Sequence, residues 1–181
     1  MHLMLSIMIV RLALPADYDA MRTIMSLAID QLQDGFLTPA QVAASHAVMG
    51  LDTQLISDRT YFLVEADGEI AGCGGWSKRA TLYGGDHSSA LREPHLLDPM
   101  HDPARVRAMY TAPHYARKGI GRMLLQASEE AARQKGFSAA ELMATLSGEP
   151  LYIASGYRAV ERIETLIAGV SVPLIRMHKL L

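Results

Sequence analysis

The segment Ala116-Arg117-Lys118-Gly119-Ile120-Gly121-Arg122 does most to limit what this chain can become. It sets two glycines and adjacent cations between a stretch that reads as a strand, Arg105 to Thr111 ahead of Pro113, and one with helical periodicity, Ile120 to Lys135. Ile120, Met123, Leu124, Ala127 and Ala131 share one face of that helix, and Arg122, Glu129, Glu130 and Arg133 fall off it. The first amides of a helix have no partner within it, and the aligned peptide dipoles put partial positive charge there. An anion suits such a turn, and glycines at 119 and 121 let a phosphate approach the backbone closely. The segment is not a Walker loop, which needs Lys followed by Ser or Thr after a longer glycine-spaced loop. Nor is it a dinucleotide fingerprint, whose third glycine is Leu124 here. On these residues alone, an ordinary strand-to-helix turn with a solvated basic pair stays equally open.

With 181 residues, 50% of them hydrophobic and 20% charged, the chain is expected to form one domain over 1–181 with a core of its own. The net charge of −2 and the scattered basic residues offer no broad surface for nucleic acid. Cys73 is the only cysteine, which excludes an internal disulfide and a cysteine-based zinc site and fits a reducing, cytoplasmic setting. Its neighbours Gly72, Gly74, Gly75 and Trp76 suggest a strand with close backbone packing and an inert thiol. The apolar start, Met1 to Val10, lacks a basic leader and is far short of the roughly 20 residues of a membrane helix, so no membrane partner is expected. Residues 1–7 read as an N-terminal extension, with a first strand at about Ile7 to Leu12.

Pro15-Ala16-Asp17 signals a helix start, and Tyr18, Met21, Ile24, Met25, Ala28, Ile29 and Leu32 follow at helical spacing until Gly35. A second helix is expected from Thr38-Pro39, with Thr as cap and Pro in the first helical position. Tyr61 to Val64 and Ile70 to Trp76 flank Asp67-Gly68, a hairpin signal. Closing strands are expected near Arg158 to Thr165 and Val172 to Lys179. Residues 78–104, rich in Gly, Asp, His and Pro, are too long for a simple connection and read as a solvated polar loop. Its His87, His95 and His101, with Asp86, Asp98 and Asp102, match no familiar ligand spacing, so no metal is expected.

Tyr110-Thr111-Ala112-Pro113-His114-Tyr115-Ala116-Arg117-Lys118-Gly119-Ile120-Gly121 resembles the signature of the GCN5-related N-acetyltransferases (GNAT), a strand, a Pro-containing turn and an Arg/Gln-x-x-Gly-x-Gly/Ala loop. Ser147-Gly148-Glu149-Pro150-Leu151-Tyr152-Ile153-Ala154-Ser155-Gly156-Tyr157 is similar to that family's short helix with an aromatic-Tyr pair and a following Gly-Tyr. The resemblance spans about Met8 to Leu180 and is strongest from Val106 to Val160. It implies an α/β (α+β) fold with a mixed, mostly antiparallel central sheet, flanking helices and strands splayed at the cofactor site.

The resemblance also implies acetyl-CoA as donor, bound along Met109, Tyr110 and Thr111 and by Ala116, Arg117, Lys118, Gly119, Ile120, Gly121 and Arg122, with Ser147 beside the cofactor arm. Ala116 stands where the family carries Arg or Gln, so the grip would rest on backbone amides and Arg117. Tyr152 is expected to protonate the departing thiolate, and Tyr157 to pack at the start of the next strand. Candidate bases are Glu65, Asp86, His87, His114 and Glu141, none favoured. The acceptor would be a primary amine on a small molecule or peptide, attacked in a ternary complex, with residues 78–104 and the N-terminal helices shaping its site. Near-neutral charge argues against a very basic acceptor. A homodimer through the C-terminal strands is expected by analogy, and a non-catalytic acyl-CoA-binding module stays open as the alternative.

Overall fold

Asp67 and Gly68 both take positive φ, 53° and 82°, the turn geometry that matches the twist of two antiparallel strands. The hairpin they close, β2 (Tyr61–Ala66) and β3 (Glu69–Ser77), forms as expected. It lies within a computed structural model that describes residues 6–181. Most of the predicted extension, residues 1–5, lies outside the described residues. The expected first strand is β1 (Met8–Leu12), antiparallel to β2.

A short turn at Pro15–Asp17 leads into α1 (Tyr18–Leu32), where the Asp17 carboxylate accepts the Leu14 amide at 2.8 Å and pairs with Arg11. In α2 (Pro39–Ser45) the Thr38 hydroxyl accepts from the Gln41 amide while the Gln41 side chain returns to the Thr38 amide, a reciprocal cap. A short helix not foreseen, α3 (Thr53–Ser57), follows, capped by Asp52. Its single turn is too short to show periodicity.

The remaining elements are β4 (Ala104–Thr111), α4 (Ile120–Gln134), β5 (Ala139–Ala144), α5 (Glu149–Ala154), β6 (Arg158–Ile167) and β7 (Val170–Leu180). Seven strands form one sheet in the order β1-β2-β3-β4-β5-β7-β6, with β4–β5 as the parallel pair. The sheet is mixed and mostly antiparallel, as expected. Residues 71–77 of β3 are buried without alternation, so both faces of the sheet are covered there, and α1 and α4 pack against it. Cys73 is buried in that strand, its thiol pushed up to about 12 by desolvation, in keeping with an inert role.

The α4 face differs from its periodic reading. Glu129, expected on the solvent side, is buried and pairs with Lys179 of β7 at 2.8 Å. The last turns of α4 lie against the C-terminal strand, where a cation stands ready to neutralise the carboxylate.

Candidate active site

β4 and β5 pair only at Ala104 with Ala140 and Arg105 with Glu141. Beyond that point β4 stays with β3 while β5 follows β7 to Ala144, so the two strands diverge. β4 also bulges. Cys73 faces Tyr110 and Gly75 faces Arg107, which sets the single residue Gly74 opposite both Ala108 and Met109. Ala108 takes φ 53°, and its carbonyl accepts the buried Tyr61 hydroxyl at 2.8 Å. Gly74 leaves room for Met109, whose Sδ occupies the place a side chain at 74 would take. The divergence and the bulge open a cavity of about 760 Å³.

One end of the cavity is the start of α4. The first helical bond runs from the Met123 amide to the Gly119 carbonyl, so the amides of Ile120, Gly121 and Arg122 have no acceptor within the helix. Gly119 caps the helix at φ 87°, and Arg117 is itself left-handed at φ 61°. Gly121 gives room for α5, since Leu151 Cδ2 lies 2.6 Å from where its Cβ would stand. Arg117 and Arg122 line the cavity, and neither is ion-paired among the described residues. Lys118 does not line it. Its ammonium sits 5.2 Å from the Tyr115 ring centroid, a cation–π contact that turns it away.

The other predicted residues converge on the same space: Met109, Tyr110 and Thr111 on β4, Ala116 in the loop, and Ser147 and Tyr152 beside the far wall. The Ser147 hydroxyl shares a 3.1 Å hydrogen bond with Thr145, which also accepts the Gly148 amide at the start of α5. Tyr152 is 7% exposed and packs edge-on to Tyr157 at 5.9 Å. Burial pushes its phenol above the ordinary tyrosine value, so it is protonated at neutral pH. Tyr157, just before β6, is buried in the packing role expected of it.

No carboxylate or imidazole lines the cavity among the described residues. The five candidate bases are occupied elsewhere. Glu65 pairs with Arg11, Glu141 with Arg105 and Arg176, and His114 with Glu69. Asp86 accepts the Thr53 amide, and His87 Nε2 lies 3.1 Å from the His46 carbonyl.

Residues 78–104 are more anchored than a solvated loop. Buried Arg107 of β4 donates to the Thr81 and Gly84 carbonyls and pairs with Asp52 at 2.7 Å, while Arg92 makes a two-bond contact to the same carboxylate. Loop residues Leu82, Tyr83 and Gly84 thereby become part of the cavity wall. Sequence reasoning missed Asp52, Arg107 and the cavity-lining Gln33. Asp52 had the signal of a helix cap, and the other two had none.

Comparison with known proteins agrees with this geometry. The sequence profile described as the acetyltransferase (GNAT) family matches residues 24–157. No curated protein matches the chain. Among solved structures, a GCN5-related N-acetyltransferase from Rhodopseudomonas palustris aligns at TM-score 0.73 and 20% identity over 99% of both chains. PaiA N-acetyltransferase from Thermoplasma acidophilum, solved with coenzyme A, aligns at 0.64 and 14% identity over 96% of this chain and 99% of its own. YncA from Salmonella typhimurium, solved with its cofactor acetyl-CoA, aligns at 0.62 and 18% identity over 96% and 93%. At such identities the likeness is one of fold. With a profile match over most of its length, a sheet splayed between β4 and β5 and an open helix start at Gly119, this chain belongs to the GNAT acetyltransferase family.

Proposed function

We propose that this chain is an N-acetyltransferase that moves the acetyl group of acetyl-CoA to a primary amine by direct attack within a ternary complex. The observation that carries it is a single cavity lined at once by the α4 start with Arg117 and Arg122, unpaired among the described residues, by the bulged β4 and by the buried Tyr152. The donor supplies an activated acyl group as a thioester. The amides of Ile120 to Arg122 and the two guanidiniums would hold its pyrophosphate. The backbone at Met109 to Thr111 would align its arm, an amide there meeting the negative charge that develops on the acetyl oxygen. One such donor contributes commonly about 3 kcal/mol. The Tyr152 hydroxyl would give its proton to the departing thiolate and regain one from solvent.

Thermal unfolding with and without acetyl-CoA tests the donor. At a hundredfold excess over the dissociation constant the folded state gains about 2.7 kcal/mol. For a chain of this size that raises Tm by roughly 5–10 °C. No rise at saturating concentration excludes the donor, and a rise without thiol release from any amine identifies a sensing module instead.

With the five carboxylates and imidazoles turned elsewhere, the amine proton leaves through water. Glu65→Gln, Asp86→Asn, His87→Gln, His114→Gln and Glu141→Gln are each expected to keep thiol release within about tenfold of the parent, below the usual range for loss of a catalytic base. One variant without turnover but with normal acetyl-CoA stabilisation identifies that residue as the base.

A further inference from the structure

Much of the cavity wall beyond the α4 start is apolar. Leu32 at the end of α1, Phe36 in the turn that follows it, Met49, loop residue Leu82, and Val172 and Leu174 of β7 line it. The charged residues on the wall are all arginines. Arg117 and Arg122 lie at the α4 start, and the guanidinium of Arg107, though on the wall, is consumed by Asp52 and two carbonyls. With no carboxylate on the wall among the described residues, a second ammonium on an incoming molecule would be desolvated without a counter-charge.

One polar side chain on the wall has unfilled capacity. Gln33, the residue that ends α1, is 3% exposed. Its amide nitrogen reaches the Ile29 carbonyl only at 3.5 Å and Met49 Sδ at 3.8 Å, and its oxygen has no partner. Of the buried side-chain polar atoms left unpaired among the described residues, this is the one on a residue lining this cavity. The neighbouring Gly50 amide donates to the Tyr110 hydroxyl at 3.0 Å, so this corner adjoins the bulged part of β4. A neutral amine poised for attack carries N–H groups that need acceptors, and an orphaned carboxamide oxygen needs a donor.

We propose that the acceptor is a primary amine carried on an uncharged, apolar group of small-molecule size, with the Gln33 carboxamide oxygen accepting a hydrogen bond from the amine. This rests on the acetyl-transfer reading above. Transfer of each methylene from water to the apolar wall favours binding about fourfold, whereas a distal ammonium finds no partner there.

The test uses the full chain with acetyl-CoA and two amines of equal heavy-atom count, hexylamine and cadaverine, which differ by a terminal methyl against an ammonium. Thiol release is expected with kcat/KM at least about tenfold higher for hexylamine, the ordinary worth of one unpaired charge or lost contact. Leu82→Asp, which puts a carboxylate on the apolar wall, should reverse that order. Gln33→Met, close in shape, should lower kcat/KM for hexylamine about tenfold through the amine KM, with the acetyl-CoA thermal shift unchanged. Equal or faster turnover of cadaverine by the parent protein overturns the acceptor class, and so does acetylation of neither amine while acetyl-CoA still raises Tm. Parent-like kinetics in Gln33→Met overturns the assignment of Gln33. Absence of any acetyl-CoA thermal shift sinks the transferase reading, and this proposal with it.

Discussion

Tyr152→Phe is expected to lower kcat for thiol release by about a hundredfold or more, the usual contribution of a positioned acid. It should leave acetyl-CoA binding nearly unchanged. The separation rests on what the phenol does in the folded chain. Its ring packs on Tyr157 in the core beneath α5, and phenylalanine keeps that contact. Its oxygen makes no hydrogen bond among the described residues, so removing it orphans no partner and should cost little stability. Burial raises the phenol above its ordinary value, and an acid with a raised pKa stays protonated further into the alkaline range. Loss of the Tyr152 proton should therefore produce no falling limb in kcat between about pH 7 and pH 9.5. Steady-state kinetics of both proteins, with thermal shifts in acetyl-CoA, checks this. A variant kcat within about threefold of the parent assigns Tyr152 to packing and moves the leaving-group proton to solvent.

The residues that could be placed from sequence are those whose work is local. Asp67-Gly68 closes a hairpin by its own φ angles, Thr38 and Gln41 cap a helix within one turn, and Gly119 ends a loop that it also shapes. The motif around Tyr152 is of the same kind, a short helix with its partner glycine and tyrosine close by. What stayed hidden depends on groups far apart in the chain. Gln33 has the composition of any helix end, and only the meeting of α1, Met49 and β4 makes it a buried, half-satisfied amide. Glu129 obeys helical periodicity on the wrong side because Lys179, fifty positions on, makes its burial tolerable. The bulge at Ala108 needs Tyr61 from another strand to hold its carbonyl. In each case the local pattern states a preference and a distant partner overrides it.

Asp52→Asn is expected to destabilise the chain by about 3–5 kcal/mol, the cost of removing one member of a buried ion pair. Asparagine caps a helix as well as aspartate, so α3 keeps its cap and the change isolates the charge. Arg107 remains with its side chain only 3% exposed and its two carbonyl partners intact, but without the carboxylate that offsets its desolvation. Burial already lowers the pKa of that guanidinium, with Asp52 as the principal opposing influence, yet arginine does not give up its proton in proteins. The strain must instead appear as lost stability, a fall in Tm of roughly 6–20 °C. Arg92 is released as well, and with it residues 78–104 lose an anchor whose neighbours Leu82 to Gly84 form the cavity wall. The amine KM should therefore rise while acetyl-CoA, proposed to sit at the α4 start, still stabilises the protein. Adding Arg107→Met to Asp52→Asn should recover part of the lost Tm, because the second change removes the charge that the first left uncompensated. Thermal unfolding of the parent, the single variant and the double variant decides between the two roles of Asp52. A Tm within about 2 °C of the parent in Asp52→Asn would reduce that residue to a helix cap and leave the loop held by backbone contacts alone.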